Sequence, residues 1–513
     1  MRRASSRWLV AWPARRPLAV GLNRIPCVAL LRPPRLVAVV AALALAGCAA
    51  TVAPPPASNL QTPAAWRTPA AGPGQNAGPV EQQWWQAFGD PVLSALVTQA
   101  LEHNGDVRVA RARVAQYRAL VGVAAAGQKP VVSADTTPTR ARQVSSVGTP
   151  SVTNVYQAEV QASYEVDLWG RLAAATDAAT ATYQSEQANA DAVALSIAAT
   201  VATGYLNLRG LDAQLALTEA TLKLREQSRD LAKRQFDVGY SSRLEWLQAQ
   251  AEYQTTAETV PQLKRQIFEQ ENALAILAGG NPGPIARGVE LTALQSPPVP
   301  EGLPSELLRR RPDIARAEYN LVAINANLQA TRDQLLPSFK LTAVGGIQSL
   351  KMHDFLNAPT RLWHLTGALA APIFDGGRVQ SQTDSVAAQR DQAIVAYESA
   401  VRNAFAETDN GLDAIARLKE QAVQNDARRA TAAETLRIAH NRYRNGYASY
   451  LEELDAQRTL YSADVGSLQL RTRMLTASVD LYRAMGGGWT AAPTSGSATS
   501  GSVPTFGQEL IRK

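Results

Sequence analysis

One interval governs this chain. Pro130 recurs 207 positions later as Pro337, Gly170-Arg171 as Gly377-Arg378, Gly239-Tyr240 as Gly446-Tyr447, and Gly279-Gly280 as Gly486-Gly487. Around the third of these, Phe236, Ser242, Leu244, Glu245, Leu247, Ala249 and Gln250 are matched by Tyr443, Ser449, Leu451, Glu452, Leu454, Ala456 and Gln457. No insertion or deletion separates the anchors. Glycine and proline answer to backbone dihedrals, so turn residues that keep one offset while the rest drifts indicate a duplicated backbone. The chain therefore reads as two halves of one architecture.

Each half shows the same order of patterns. A helical period opens near Pro91 or Pro304, with Leu93, Leu96, Val97 and Leu101 on one face, and is ended by Pro130 or Pro337. The period then becomes two. Over 155–167, Tyr156, Ala158, Val160, Ala162, Tyr164 and Val166 alternate with Gln157, Glu159, Gln161, Ser163, Glu165 and Asp167. A strand of about a dozen residues suffices to cross a bilayer at a tilt, and the tyrosines with Trp169 fit aromatic girdles; a strand of a soluble sandwich is the bland alternative. The counterpart, 363–374, puts Trp363, Leu365, Leu369 and Ile373 on one side and His364 and Thr366 on the other. With 131–139 and 339–348, each half holds a hairpin, closed by polar loops at 140–154 and 349–362. Four strands per chain cannot close a barrel, and an open edge facing lipid leaves amides unpaired at several kcal/mol each, so membrane-spanning strands require oligomerisation.

After each hairpin comes a long proline-free span of helix formers. The 66 residues of 171–236 would make a helix of about 100 Å, long enough for a coiled-coil-like barrel, with Gly204 and Gly210 as mild interruptions. It reverses at Val238-Gly239-Tyr240, or Asn445-Gly446-Tyr447, and returns to Gly279-Gly280, or Gly486-Gly487.

Charge needs care. The formal +7 includes eight arginines and no acid in the first 47 residues, so the remainder carries 7 − 8 = −1, and nucleic-acid binding loses its electrostatic basis. The triple arginine Arg309 to Arg311, beside Pro312 and Asp313, reads instead as a group that positions the following helix. The basic start, an apolar run over 36–46 and Leu45-Ala46-Gly47-Cys48 form an export signal over 1–47. Its end resembles a bacterial lipobox, which makes Cys48 a lipidated amino terminus; Ala49 after it favours the outer membrane. Residues 48–80 read as a Pro/Ala/Gly-rich tether, 81–280 as repeat one, 281–303 as a crossover, 304–490 as repeat two and 491–513 as a disordered tail. The other cysteine, Cys27, lies within the signal, so no internal disulfide is expected.

Three stretches are shared with a known family: Gln83-Trp84-Trp85 with Phe88-Gly89-Asp90-Pro91, Gly302-Leu303-Pro304-Ser305 running into Leu307 to Ile314, and 442–457. In these the chain resembles the outer membrane factor family, the TolC-like exit ducts of tripartite efflux pumps, in its lipidated branch. The resemblance implies an α+β membrane protein whose homotrimer forms one β-barrel from four strands per chain, continued by a long helical barrel across the periplasm. It implies passive export of small molecules, with a periplasmic adaptor and an inner-membrane pump as partners, and no cofactor beyond the lipid on Cys48. It places Leu451 and Asp455 at a closed aperture, with Tyr443 holding the inner helix pair, and makes Gly239, Tyr240, Gly446 and Tyr447 the adaptor contacts. From the residues alone, Leu451 could equally be core, and Asp455 a solvated acid paired with Arg458.

No catalytic set can be assembled. His103, His353, His364 and His440 are scattered, and no phosphate-binding glycine loop occurs. A periplasmic adaptor-like coiled-coil lipoprotein without a barrel is the rival class.

Overall fold

The computed structural model describes residues 60–68, 82–299 (except 145 and 147) and 304–490. The signal 1–47, Cys48, most of the tether and the tail 491–513 lie outside the described residues.

The duplication is visible in helix boundaries. Repeat one contains α1 (Pro91–His103), α2 (Gly105–Ala126), β1 (Val131–Val144), β2 (Pro150–Val166), α3 (Arg171–Asp237) and α4 (Arg243–Leu277). Repeat two contains α5 (Pro304–Arg310), α6 (Pro312–Arg332), β3 (Ser338–Ser349), a short α7 (Met352–Asn357), β4 (Thr360–Ala370), α8 (Arg378–Arg444) and α9 (Tyr450–Ala484). Helices α3 and α8 are each 67 residues long, and α4 and α9 each 35. Glycines in the left-handed region start and stop them: Gly170 and Gly377 at φ 81° and 82°, Gly239 and Gly446 at 77° and 74°, Gly279 and Gly486 at 80° and 88°. These are conformations that side chains rarely adopt, which explains why glycine survives at both copies.

The opening helix of each repeat is divided, where the sequence suggested one continuous run. Asn104 and Arg311, also 207 apart, sit buried at the two breaks. The Asn104 side-chain oxygen accepts from the backbone amides of Asp106 and Val107, capping α2, while its Nδ2 donates to the carbonyl of Leu277 at 2.9 Å. Arg311 donates Nη1 to the carbonyl of Ala484 at 2.9 Å and pairs with Asp313 and Glu407 at 2.7 Å. Different side chains thus tie the equivalent junction to the end of the returning helix. Each satisfies a carbonyl that a helix terminus leaves unpaired.

Gly204 and Gly210 do not interrupt α3. A Cβ at Gly204 would lie 2.9 Å from Leu274 Cδ2, and one at Gly210 would strike Thr472, so these glycines allow α4 and α9 to approach. One stretch of α3 is apolar enough to cross a bilayer, yet half of it is buried. Ile197, Val201, Tyr205 and Leu208 there join Trp84, Phe88, Leu93, Leu274 and Leu475 in the main core. Asp90 holds that core to the crossover: buried, it caps α1 and accepts from Tyr205 Oη at 2.8 Å and the amide of Val289 at 3.0 Å.

The strands make one antiparallel sheet in the order β1-β2-β3-β4, with β1 and β4 at its edges. Strand β2 runs 17 residues and β4 runs 11, enough for the roughly 9 to 11 that a tilted span requires. Both hairpin ladders reach further than expected: β1 pairs with β2 without a gap to Val144↔Pro150, and the second loop holds α7. Strand β4 ends at Ala370, so Ile373 and Phe374 lie beyond it, almost wholly exposed.

Register gathers the large apolar positions of β2, β3 and β4 mainly on one face, with Val344 and Leu362 among the exceptions on the other. Tyr164 pairs with Leu341, Ala162 with Ala343 and Ala158 with Ile347; Ala343 in turn pairs with Leu365 and Gly345 with Trp363. The opposite face collects Gln161, Ser163, Thr342, His364 and Thr366. Trp363, Leu365 and Leu369 are at least 70% exposed, so among the described residues the β4 part of the apolar face is uncovered, while Phe355 of the β3–β4 loop meets Tyr156 at 6.4 Å.

One expectation is corrected. Residues 60–68 were assigned to an unpacked tether, but Trp66 meets the Phe405 ring edge-on at 6.3 Å, Leu60 packs on the same cluster, and the amide of Arg67 donates to Asp409 Oδ1 at 3.1 Å. Leucine and tryptophan in an otherwise small and polar stretch gain by burying there.

Candidate functional site

The two helix reversals, α3 to α4 and α8 to α9, are built on one backbone. Tyr240 and Tyr447 each donate their amide to the carbonyl five residues earlier, Gln235 or Arg442, at 2.8 Å, and Ser242 Oγ accepts from the Glu245 amide at 3.2 Å. Val238, Tyr240 and Tyr447 are nearly four-fifths exposed. Large side chains held in water at a helix tip form a surface that another body can grip.

Leu451 and Asp455 lie one turn apart on α9. Both are exposed, and Asp455 approaches Arg458 at 3.8 Å. The carboxylate is therefore open to solvent, with one loose cation beside it. Tyr443, on α8, is set inward: its ring tilts against the buried Tyr450 at 5.6 Å and its hydroxyl donates to Gln235 Oε1 on α3 at 3.3 Å. Burial pushes both phenols up to about 12, with Glu245 and Glu453 adding to the effect at Tyr443 and Glu453 at Tyr450. Tyr443, Tyr450 and Leu454 from repeat two share a small cluster with Ala232, Ala249 and Trp246 from repeat one. The reversals are thus pinned to each other just behind their tips.

Sequence reading missed the strongest link between them. Glu252 on α4, buried, pairs with the buried Arg225 on α3 and with Arg458 on α9, whose Nη2 lies 2.6 Å from Glu252 Oε2. Burial is the largest influence on Arg225 and holds its guanidinium below the ordinary arginine value. Arg458 thus spans from the buried Glu252 to the exposed Asp455, joining the core of one helix pair to the face of the other. A signal did exist: Arg225, Glu252 and Arg458 break the repeat, their counterparts being Ala432, Thr459 and Ala251. Alongside, a cavity of about 660 Å³ lies between α3, α8 and α9, walled by Leu224, Leu231, Leu436 and Leu460.

A sheet with one apolar uncovered face and two free edges, joined to four long helices with exposed reversals, defines the class of outer membrane ducts. The chain belongs to the outer membrane efflux protein family, whose profile matches residues 96–280 and again 303–487. Both limits of the second match lie 207 residues after those of the first, so the family unit is the repeat itself. The chain is 37% identical over 445 residues to the probable efflux pump outer membrane protein TtgC of Pseudomonas putida, covering 84% of this chain and 92% of the relative. It is 31% identical to the cation efflux system protein CusC of Escherichia coli over 81% of this chain and 89% of that one. Among solved structures, the open state of the Neisseria gonorrhoeae MtrE outer membrane channel superimposes with a TM-score of 0.76 at 30% identity, over 86% of this chain and 98% of that one. The protein is an outer membrane exit duct of an efflux system, set in the outer membrane and extending into the periplasm.

Proposed function

We propose that three copies assemble so that four strands from each form a twelve-stranded barrel, that their long helices continue it as a periplasmic conduit, and that the reversals form its gate. The observation that carries this is the sheet: its apolar face is largely exposed and, among the described residues, its two edges have no partner strand. Hydrocarbon tolerates neither free edges nor lone amides, so closure by further copies satisfies both demands. A wide barrel of even strand number leaves a water-filled lumen. Conduction is passive and involves no catalytic residue.

At the far end, three copies bring three Leu451 and three Asp455 side chains together. A leucine ring blocks by dewetting, and converging carboxylates draw cations. Tyr443, through Gln235, and Arg458, through Glu252, hold the α8/α9 pair against α3/α4 in the closed state. A periplasmic adaptor that grips Gly239-Tyr240 and Gly446-Tyr447 and binds the splayed arrangement better shifts the population to open. An inner-membrane pump supplies cargo and energy; the cargo is a small molecule such as a drug or toxic compound. Cys48 carries the lipid that adds a second hold on the outer membrane.

Replacing Leu451 and Asp455 together by alanine tests the gate. The double variant should admit large antibiotics that the intact outer membrane excludes, with trimer yield unchanged. Unaltered permeability removes these residues from the aperture.

A further inference from the structure

The strand ladders contain a numerical regularity that extends past the chain's edge. In β1·β2, paired residue numbers sum to 294 (Val131↔Ser163), and in β3·β4 to 708 (Ser338↔Ala370). The difference, 414, is twice 207, so the two hairpins have the same register and the duplication is kept at single-residue resolution in the sheet. The junction between the repeats, β2·β3, sums to 505 (Tyr156↔Ser349). Moving the β2 partner forward by one repeat and the β3 partner back by one leaves that sum unchanged.

We infer that β4 of one copy pairs antiparallel with β1 of a second copy in this same register, residue numbers summing to 505. Thr366 then faces Thr139 of the second copy, Leu365 faces its Arg140, Leu369 faces its Thr136 and Trp363 faces its Arg142. The inference rests on the assembly proposed above and assigns its residue-level seam.

Three features support it. Parity is right: the β1 residues opposite Trp363, Leu365 and Leu369, namely Arg142, Arg140 and Thr136, lie on the same face of β1 as Val132, Ala134 and Pro138, the face that pairs with Ala162, Val160 and Tyr156. A slip of one residue would turn Asp135 and Thr137 toward the apolar side. Chemistry is right too. Trp363, 82% exposed, would lie beside an arginine, a cation–π pairing of the kind that suits a membrane interface, and Thr366 with Thr139 makes a favourable cross-strand pair. The helices obey the same rule. Within the chain, α3 packs on α6, with Ser185 Oγ donating to the carbonyl of Arg316 at 3.0 Å. Ala188 on α3 and Ala330 on α6 are 2% and 8% exposed, yet their repeat counterparts Val395 and Val123 are 56% and 68% exposed. Two valines left bare where the equivalent alanines are buried mark the faces that a second copy covers.

Disulfide trapping reads the register directly, since the bond needs Cβ atoms about 3.5 to 4.5 Å apart. In a Cys27→Ser background, Thr366→Cys with Thr139→Cys, and Leu365→Cys with Arg140→Cys, supply two adjacent pairs, of which one falls at a closely spaced non-hydrogen-bonded position. After oxidation in isolated outer membranes, at least one pair should convert most of the chain to covalent oligomers on non-reducing denaturing gels. The single-cysteine variants, and Thr366→Cys combined with Thr137→Cys or Ala141→Cys, should not. Native electrophoresis runs alongside on every variant. Efficient trapping of a two-residue-shifted pair, or no trapping where the native oligomer persists, overturns the register alone. Absence of any native oligomer in the unsubstituted protein overturns the assembly and the seam together.

Discussion

The reversals of repeat one and repeat two have the same backbone and different fillings. Lys233, Phe236, Arg243 and Trp246 in the first correspond to His440, Tyr443, Tyr450 and Glu453 in the second. In repeat one Phe236 stacks on Trp246 with centroids 5.6 Å apart and planes 11° from parallel, and the Lys233 ammonium lies 5.8 Å from the Trp246 ring. In repeat two His440 Nδ1 is 2.8 Å from the buried Glu453, which also accepts from Gln457 at 3.0 Å, and Tyr443 reaches across to repeat one. One tip is held by aromatic stacking within its own helix pair, the other by directional polar contacts, of which the one from Tyr443 crosses to the other pair. Stacked rings tolerate sliding, whereas a hydrogen bond to a buried carboxylate is either made or lost. The repeat-two pair is therefore the better switch, and the repeat-one pair the better fixed post.

Breaking the buried charge pair is expected to separate the two tips most. Glu252→Gln strands the Arg225 guanidinium and should lower stability by about 3 kcal/mol or more, whereas Thr459→Ala at the counterpart should cost within about 0.5 kcal/mol. Thermal unfolding with hydrogen exchange along α3 and α4 decides; equal losses would abolish the asymmetry. Next comes conductance. Arg458→Ala leaves Glu252 its other partner but cuts the link between helix pairs, so planar-bilayer recordings should show a larger or more frequent open state. Arg442→Ala removes a bridge to Glu452 at 3.2 Å inside one pair and should leave recordings unchanged. A similar response to both would mean that the crossing contacts are not the latch.

A transplant has a smaller expected effect. Lys233→His with Trp246→Glu gives tip one the polar filling and forfeits the ring stack, at a cost of about 1 kcal/mol, seen as faster proteolysis at the α3/α4 reversal. Smallest of all is an alkaline effect. Phenols raised to about 12 in the folded tip, against an ordinary value near 10, contribute stability that is complete below pH 10 and declines as pH rises through about 12. Tip two, with Tyr443 and Tyr450, should loosen over that window by limited proteolysis, while tip one, with Phe236 and Arg243 in those places, should not. Tyr443→Phe should blunt the change.

Much of this fold was legible in advance where the evidence is local. The helix reversals, the hairpins and the alternating face of β2 follow from glycine positions and periods of 3.6 and 2. The breaks at Asn104 and Arg311 carry local signals, an N-cap asparagine and a proline at the first helical position; what was not legible is their anchoring to the carbonyls of Leu277 and Ala484, both 173 positions away. The docking of Trp66 on Phe405 was hidden by the surrounding composition. Of the site, Leu451 is exposed and Tyr443 set inward, while sequence suggested Arg458 only as a partner of Asp455, not of Glu252.

The sequence by itself determined the duplicated backbone, since left-handed glycines at one offset impose their dihedrals wherever the chain goes, and it determined which face of the second strand of each hairpin is apolar. Only the tertiary structure decided that Arg458 meets Glu252, 206 positions earlier, and that Glu252 is already occupied by Arg225. The reason is physical: dihedral preference acts within a few residues, whereas a buried charge cluster exists only after three helices have packed and excluded the water that would otherwise solvate each member separately.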